Sequence, residues 1–130
     1  MEDKKYLGID WGEKRIGLAL GDEELKLATP FKVVSNLEEL LSEISKEEVD
    51  ILVLGKPFQV YDQKAKINPK FEEFLEALRQ ETSAKIITLD ERLTSKAVSS
   101  LNKQIFSKKS HVDKDAGAAM LILQQYFDSC

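Results

Sequence analysis

The stretch DILVLG, residues 50–55, is apolar at four successive positions and closes on a glycine. A strand with one wetted face would alternate apolar and polar residues, so this run reads as a central parallel strand buried on both faces. Parallel strands need crossover connections, and helical spacing flanks the run on either side. Asn36 is a good N-cap, and NLEELLSEISKEE behind it sets Leu37, Leu40, Leu41 and Ile44 at helical intervals. PKFEEFLEALRQET does the same with Phe71, Phe74, Leu75 and Leu78, with Pro69 suited to a first turn. AKIITLDE, residues 84–91, is a further strand that ends on acids.

Ahead of this lies LGIDWGEKRIGLAL, in which the apolar runs Tyr6 to Asp10 and Ile16 to Gly21 are separated by a charged, glycine-bearing turn. That is the pattern of an antiparallel hairpin. LKLATPFKVV supplies a third strand, and Pro30 within it favours a sheet edge or a bulge. KPFQVYDQKAKIN has turn residues and no period, and is expected to be a long loop. LTSKAVSSLNK is expected to form a helix, QIFSKKSHVDK a flexible basic connection, and DAGAAMLILQQYF a last helix that is apolar almost all round. The element order is β-β-β-α-β-α-β-α-α. It predicts one α/β domain over residues 1–130, a mixed five-stranded sheet of hairpin strands plus parallel strands, flanked by helices.

Several function classes are set aside by composition. With 42% hydrophobic and 32% charged residues, the chain is neither disordered nor fibrous. It shows no apolar signal region after MEDKK and no membrane-spanning run, so a cytoplasmic protein without a membrane partner is expected. Cys130 is the single cysteine, which excludes an internal disulfide and a cysteine zinc site. A net charge of -4 argues mildly against nucleic-acid binding, but the distribution reverses part of that argument. From Arg92 to Val112 there are five lysines and arginines and no acid, so this stretch carries +5 and the remainder -9.

In a sheet of this kind the parallel strands deliver their C-terminal ends to one edge, the usual place for a ligand. Asp10 ends the first strand, Asp90 and Glu91 end KIITLDE, and Asp115 is expected to open the last helix. Three acids meeting at one point repel each other unless they are neutralised, and oxygen-rich clusters suit hard divalent cations such as Mg²⁺. Such a site can activate water and polarise a phosphodiester. Each acid also has a plainer role. Asp10 serves a turn before Gly12, Asp115 serves an N-cap, and of Asp90 and Glu91 only one can face the site, with Glu91 preferred.

The segments LGIDWGEKRIGLAL, LVLGKP, DERLTSKA and DAGAAMLILQQYFD resemble, in order and over nearly the whole chain, the motifs of the YqgF family of ribonuclease H-like proteins. The resemblance implies a ribonuclease H-like fold and a metal-dependent nuclease, with Mg²⁺, or Mn²⁺ in its place, held by Asp10, the Asp-Glu-Arg triplet and Asp115. It implies action on structured nucleic acid, either in 5′-end maturation of pre-16S rRNA on ribosomal particles or as a Holliday junction resolvase on four-way DNA. The second would require a homodimer, whereas the first is open to a monomer. Two stretches depart from the family pattern. Trp11, Gly12 and Glu13 stand where the family has Pro or Phe and then Gly-Thr, and the segment from Lys56 to Asp62 lacks the family's Asn and second Gly.

Around the acids, Lys14, Arg15, Arg92, Lys108 and Lys109 are candidates for gripping phosphates, and their alternative is a solvated or ion-paired surface. Trp11 either stacks on an unpaired base or forms a lid over the core. His111, the only histidine, is expected in the basic loop, solvated or in contact with a phosphate. Two other readings remain open. The strand, Asp-x-Gly turn and strand also resemble the phosphate-binding hairpin of actin-like ATPases and sugar kinases, although a chain of this length cannot supply their second lobe. A non-catalytic RNA- or ribosome-binding module would explain the altered loop.

Overall fold

The computed structural model describes residues 4–56, 58–59, 66–67, 69–90 and 111–129; at positions 56, 58, 59, 66, 67, 90 and 111–115 only the backbone is described. Five strands form the main sheet: β1 (Lys5–Trp11), β2 (Ile16–Asp22), β3 (Ala28–Val34), β4 (Ile51–Lys56) and β7 (Lys85–Asp90). Their order is β3-β2-β1-β4-β7, and the short strands β5 (Phe58–Gln59) and β6 (Lys66–Ile67) pair separately. β1 is antiparallel to β2, and β2 to β3, whereas β1, β4 and β7 run parallel. The mixed sheet expected from the sequence is therefore present.

The unbroken apolar run of β4 is explained by its place between β1 and β7, with a helix layer on each side. Leu52 and Leu54 point into one core with Leu7, Ile9, Ile16 and Leu18. That core is closed by Leu40 and Ile44 of α1 (Leu37–Lys46) and by Phe71, Leu75 and Leu78 of α2 (Pro69–Glu81). Ile51 and Val53 point the other way, towards Ile122, Leu123 and Phe127 of α3 (His111–Asp128). Among the described residues one helix covers this face and two cover the opposite one. Among the described residues no helix is long and apolar enough to cross a membrane.

Local signals explain most boundaries. The Asn36 side chain accepts the Glu39 backbone N–H at 2.9 Å and caps α1. At the other end of α1, Val49 N–H donates to Ile44 and Glu48 N–H to Ser45, a Schellman arrangement with Glu48 in the left-handed region at φ 52°. β3 is an edge strand and its ladder is irregular at Leu18 and Ala19, opposite Lys32 and Pro30, as a missing backbone donor requires.

Four expectations are corrected. The third strand starts at Ala28, not at Leu25. Leu25 and Leu27 instead lie exposed in a turn, where the Asp22 carboxylate accepts the Leu25 N–H at 2.7 Å. Part of the expected loop after β4 pairs as the β5–β6 ladder. The last helix begins at His111, so His111 belongs to the helix, and Asp115 lies one turn inside it instead of capping it. An early start puts acidic Asp113 and Asp115 in the opening turns, where the helix dipole favours negative charge. The helix expected at LTSKAVSSLNK, and the basic connection up to residue 110, lie outside the described residues.

Candidate metal and phosphate site

Strand alternation fixes the side of the sheet on which Asp10 stands. Leu7, Ile9 and Trp11 face α1 and α2, whereas Tyr6 faces α3. A Cβ on Gly8 would lie 2.7 Å from the Ala119 carbonyl oxygen and 2.8 Å from Leu123 Cβ, so Gly8 faces α3 as well. Asp10 follows in that series. It is partly buried at the C-terminal end of β1.

Its row across the sheet is unusual. Asp10 pairs with Gly17 of β2. On the other side Ile9 is level with Leu54 of β4, so the next residue pair in register is Asp10 and Gly55. Both glycines are buried. The aspartate is consequently the only side chain in a three-strand row, with Leu89 of β7 level with Gly55 beyond it.

The contacts of α3 also place its opening turns. Tyr6 packs on Phe127 and Tyr126, with ring centroids 5.1 and 5.7 Å apart, whereas Gly8 meets Leu123 and Ala119. Contacts move towards the helix N-terminus as β1 advances, so the two elements run antiparallel. Two strand residues beyond Gly8 advance about 7 Å. At about 1.5 Å per residue this is roughly four to five residues of helix. The step leads from Ala119 back towards the turn that holds Asp115. Buried Ala116, Gly117 and Ala119 let the helix lie close.

The turn between β1 and β2 is tight, because a Cβ on Gly12 would lie 2.8 Å from the Arg15 carbonyl oxygen. Lys14 and Arg15 are exposed in this turn, next to the Asp10 edge. Trp11 is partly buried, with its ring 5.7 Å from Phe71 and 6.1 Å from Phe74 of α2. Glu13 pairs with Lys70 at 3.5 Å. Trp11 and Glu13 thus both reach α2. Nothing local announced this contact; the signal was that Trp11 and Ile9 share a strand face while Phe71 and Phe74 share a helix face.

Glu91, Arg92, Lys108 and Lys109 lie outside the described residues, as does the side chain of Asp115. Among the described residues no three His, Cys, Asp or Glu side chains form a cluster fit for a metal. The donors named from the sequence are nevertheless all carboxylates, the set that hard divalent cations prefer. The glycine-flanked row around Asp10 fits such an ion with its waters, since neither neighbouring strand supplies a side chain to compete.

A mixed five-stranded sheet in this order, with acids at the C-terminal ends of β1 and β7, defines a ribonuclease H-like domain. The chain matches the RuvX family, described as Holliday junction resolvase, over residues 4–129, and it belongs to that family. A protein of Anaeromyxobacter sp. (strain Fw109-5) named "Putative pre-16S rRNA nuclease" is 35% identical over 95% of this chain and 96% of its own. A protein of the same name from Mycoplasmoides gallisepticum is 31% identical over 95% of this chain and 94% of its own. Among solved structures, Thermus thermophilus RuvC in complex with a Holliday junction substrate superposes with a TM-score of 0.60 at 13% identity, over 97% of this chain and 94% of that one. Fowlpox virus resolvase with Holliday junction DNA gives 0.59 at 13% identity, covering 96% and 97%. At such identity these two structures speak for the fold.

Proposed function

We propose that this protein is a metal-dependent endonuclease that hydrolyses phosphodiester bonds of structured RNA in the 5′-end maturation of pre-16S rRNA. The observation that carries the reading is Asp10 at the end of β1, in a row whose neighbours on β2 and β4 are glycines, on the sheet face that α3 covers. Family membership and the names of the relatives support it.

Asp10, Glu91 and Asp115 would hold Mg²⁺ or Mn²⁺. Ile87 and Leu89 of β7 face α3; of Asp90 and Glu91 only one can face the site, and Glu91 is preferred. A bound divalent cation supplies Lewis-acid activation of the phosphodiester and of water. The protein's own residues do the rest. The carboxylates create a negative site that a bare phosphate cannot enter without a neutralising cation, which couples substrate entry to metal loading. Lys14 and Arg15, with Arg92, Lys108 and Lys109, neutralise backbone phosphates on either side of the scissile bond and set its position. The reading includes a cytoplasmic location, a single domain over residues 1–130 and encounter with the substrate on ribosomal particles.

Resolution of four-way DNA junctions is the second reading, favoured by the family's description and by the likeness to resolvases. It demands two coordinated cuts and hence a two-fold dimer. The test is cleavage of end-labelled pre-16S RNA and of a four-way junction by the same preparation, with its oligomeric state measured. Cutting of the RNA by a monomer supports the first reading; symmetric cutting of the junction by a dimer replaces it with the second.

A further inference from the structure

We infer that Trp11 is a positioning residue for Asp10, holding the end of β1 against α2 so that the carboxylate on the opposite face is fixed for metal binding. The inference rests on the metal-site reading above and deepens it. Trp11 and Asp10 are consecutive in an extended strand, so a ring packed towards α2 and a carboxylate facing α3 move as one rigid peptide.

The ring meets two aromatic residues of α2. It meets Phe71 at 5.7 Å with planes at 66°, an edge-to-face contact, and Phe74 at 6.1 Å and 38°. Phe71 itself is fully buried and packs on Phe74 at 6.5 Å, so the three rings form one cluster that anchors to the core. The Glu13 to Lys70 pair lies on the far side of Gly12, but both partners are more than half exposed and the pair adds little. The aromatic cluster therefore adds a side-chain restraint on the α2 face to the β1–β2 pairing at this strand end, where Trp11 is the last paired residue of β1 before the turn. Without it, the end of β1 would keep its pairing with β2 and lose its tie to α2. A ring committed to Phe71 and Phe74 also has less face to offer a nucleic-acid base.

The test compares wild type, Trp11→Ala, Trp11→Phe and Phe74→Ala by calorimetric titration with Mn²⁺, and by RNA binding in EDTA, where no cutting occurs. Trp11 is the only tryptophan, so its emission reports directly on its surroundings in the wild type and in Phe74→Ala. Groups that orient metal ligands typically change metal affinity by about 10- to 100-fold when removed. Trp11→Ala and Phe74→Ala should weaken Mn²⁺ binding in that range with RNA affinity in EDTA unchanged, and Trp11→Phe should restore most of the metal affinity. Should Trp11→Ala fail to fold, Phe74→Ala and Trp11→Phe decide the matter. Unchanged Mn²⁺ affinity in the folded variants would overturn the inference. So would loss of RNA affinity with Mn²⁺ binding intact, which would make Trp11 a base-stacking residue. Failure of the wild type to bind Mn²⁺ overturns it together with the metal site. Mn²⁺ binding without cleavage of any nucleic acid overturns only the nuclease reading, and the affinity comparison still judges the role of Trp11.

Discussion

Asp10 and Gly17 face each other across the β1–β2 ladder. In such a pair the two Cβ positions are about 4.5–5.5 Å apart, so any side chain at 17 would stand beside the carboxylate. Gly17→Val is expected to weaken Mn²⁺ binding through crowding, measured by calorimetry beside a thermal melt that separates the loss from unfolding. Undiminished affinity in a folded variant would mean that the row does not form the site.

Gly8 controls how closely α3 approaches the sheet. An added methyl would collide with the Ala119 carbonyl and Leu123 Cβ at 2.7 and 2.8 Å, both part of a packed helix. Gly8→Ala should cost about 1–3 kcal/mol in urea unfolding. Because the same helix carries Asp115, activity should fall by more than the folded fraction does.

Glu48 sits at φ 52° in the position after the α1 cap where glycine is usual. The left-handed conformation costs a residue with a side chain about 1–2 kcal/mol, and glycine gives back part of that as chain entropy. Glu48→Gly should stabilise the protein by about 0.5 kcal/mol, read as a higher urea midpoint at unchanged slope. It lies far from the Asp10 edge, and activity should not change.

On the proposed function Lys108 and Lys109 contact phosphates. Replacing both with alanine should lower RNA affinity for all sequences alike and flatten the slope of log K against log salt by about 0.7 per lost contact for a single strand. An unaltered slope would return these lysines to the solvated surface.

Much of the architecture is legible because it rests on local rules. The DILVLG run announces a doubly covered strand, Asn36 announces a cap, and Pro30 announces an edge, each through a physical need that the neighbours cannot override. Elsewhere the chain needed its tertiary partners. Leu25 and Leu27 look like strand residues, but Asp22 closes a turn around them and Gln124, from the distant α3, holds the turn by accepting the Ala28 N–H and donating to the Lys26 carbonyl. The β5–β6 pairing is two residues long, too short for any period to show. The first turn of α3 carries no apolar period to mark it, since His111 to Asp115 are polar or charged apart from Val112. The glycine row and the hold of α2 on Trp11 required the register and the packing.

The most direct test of the account is cleavage of labelled pre-16S RNA by wild type and Asp10→Asn in Mg²⁺, Mn²⁺ and EDTA, with a thermal melt of both proteins. The account predicts metal-dependent cutting that Asp10→Asn abolishes, with the fold intact or slightly more stable because carboxylate repulsion is relieved. Cutting that survives Asp10→Asn or EDTA would contradict it.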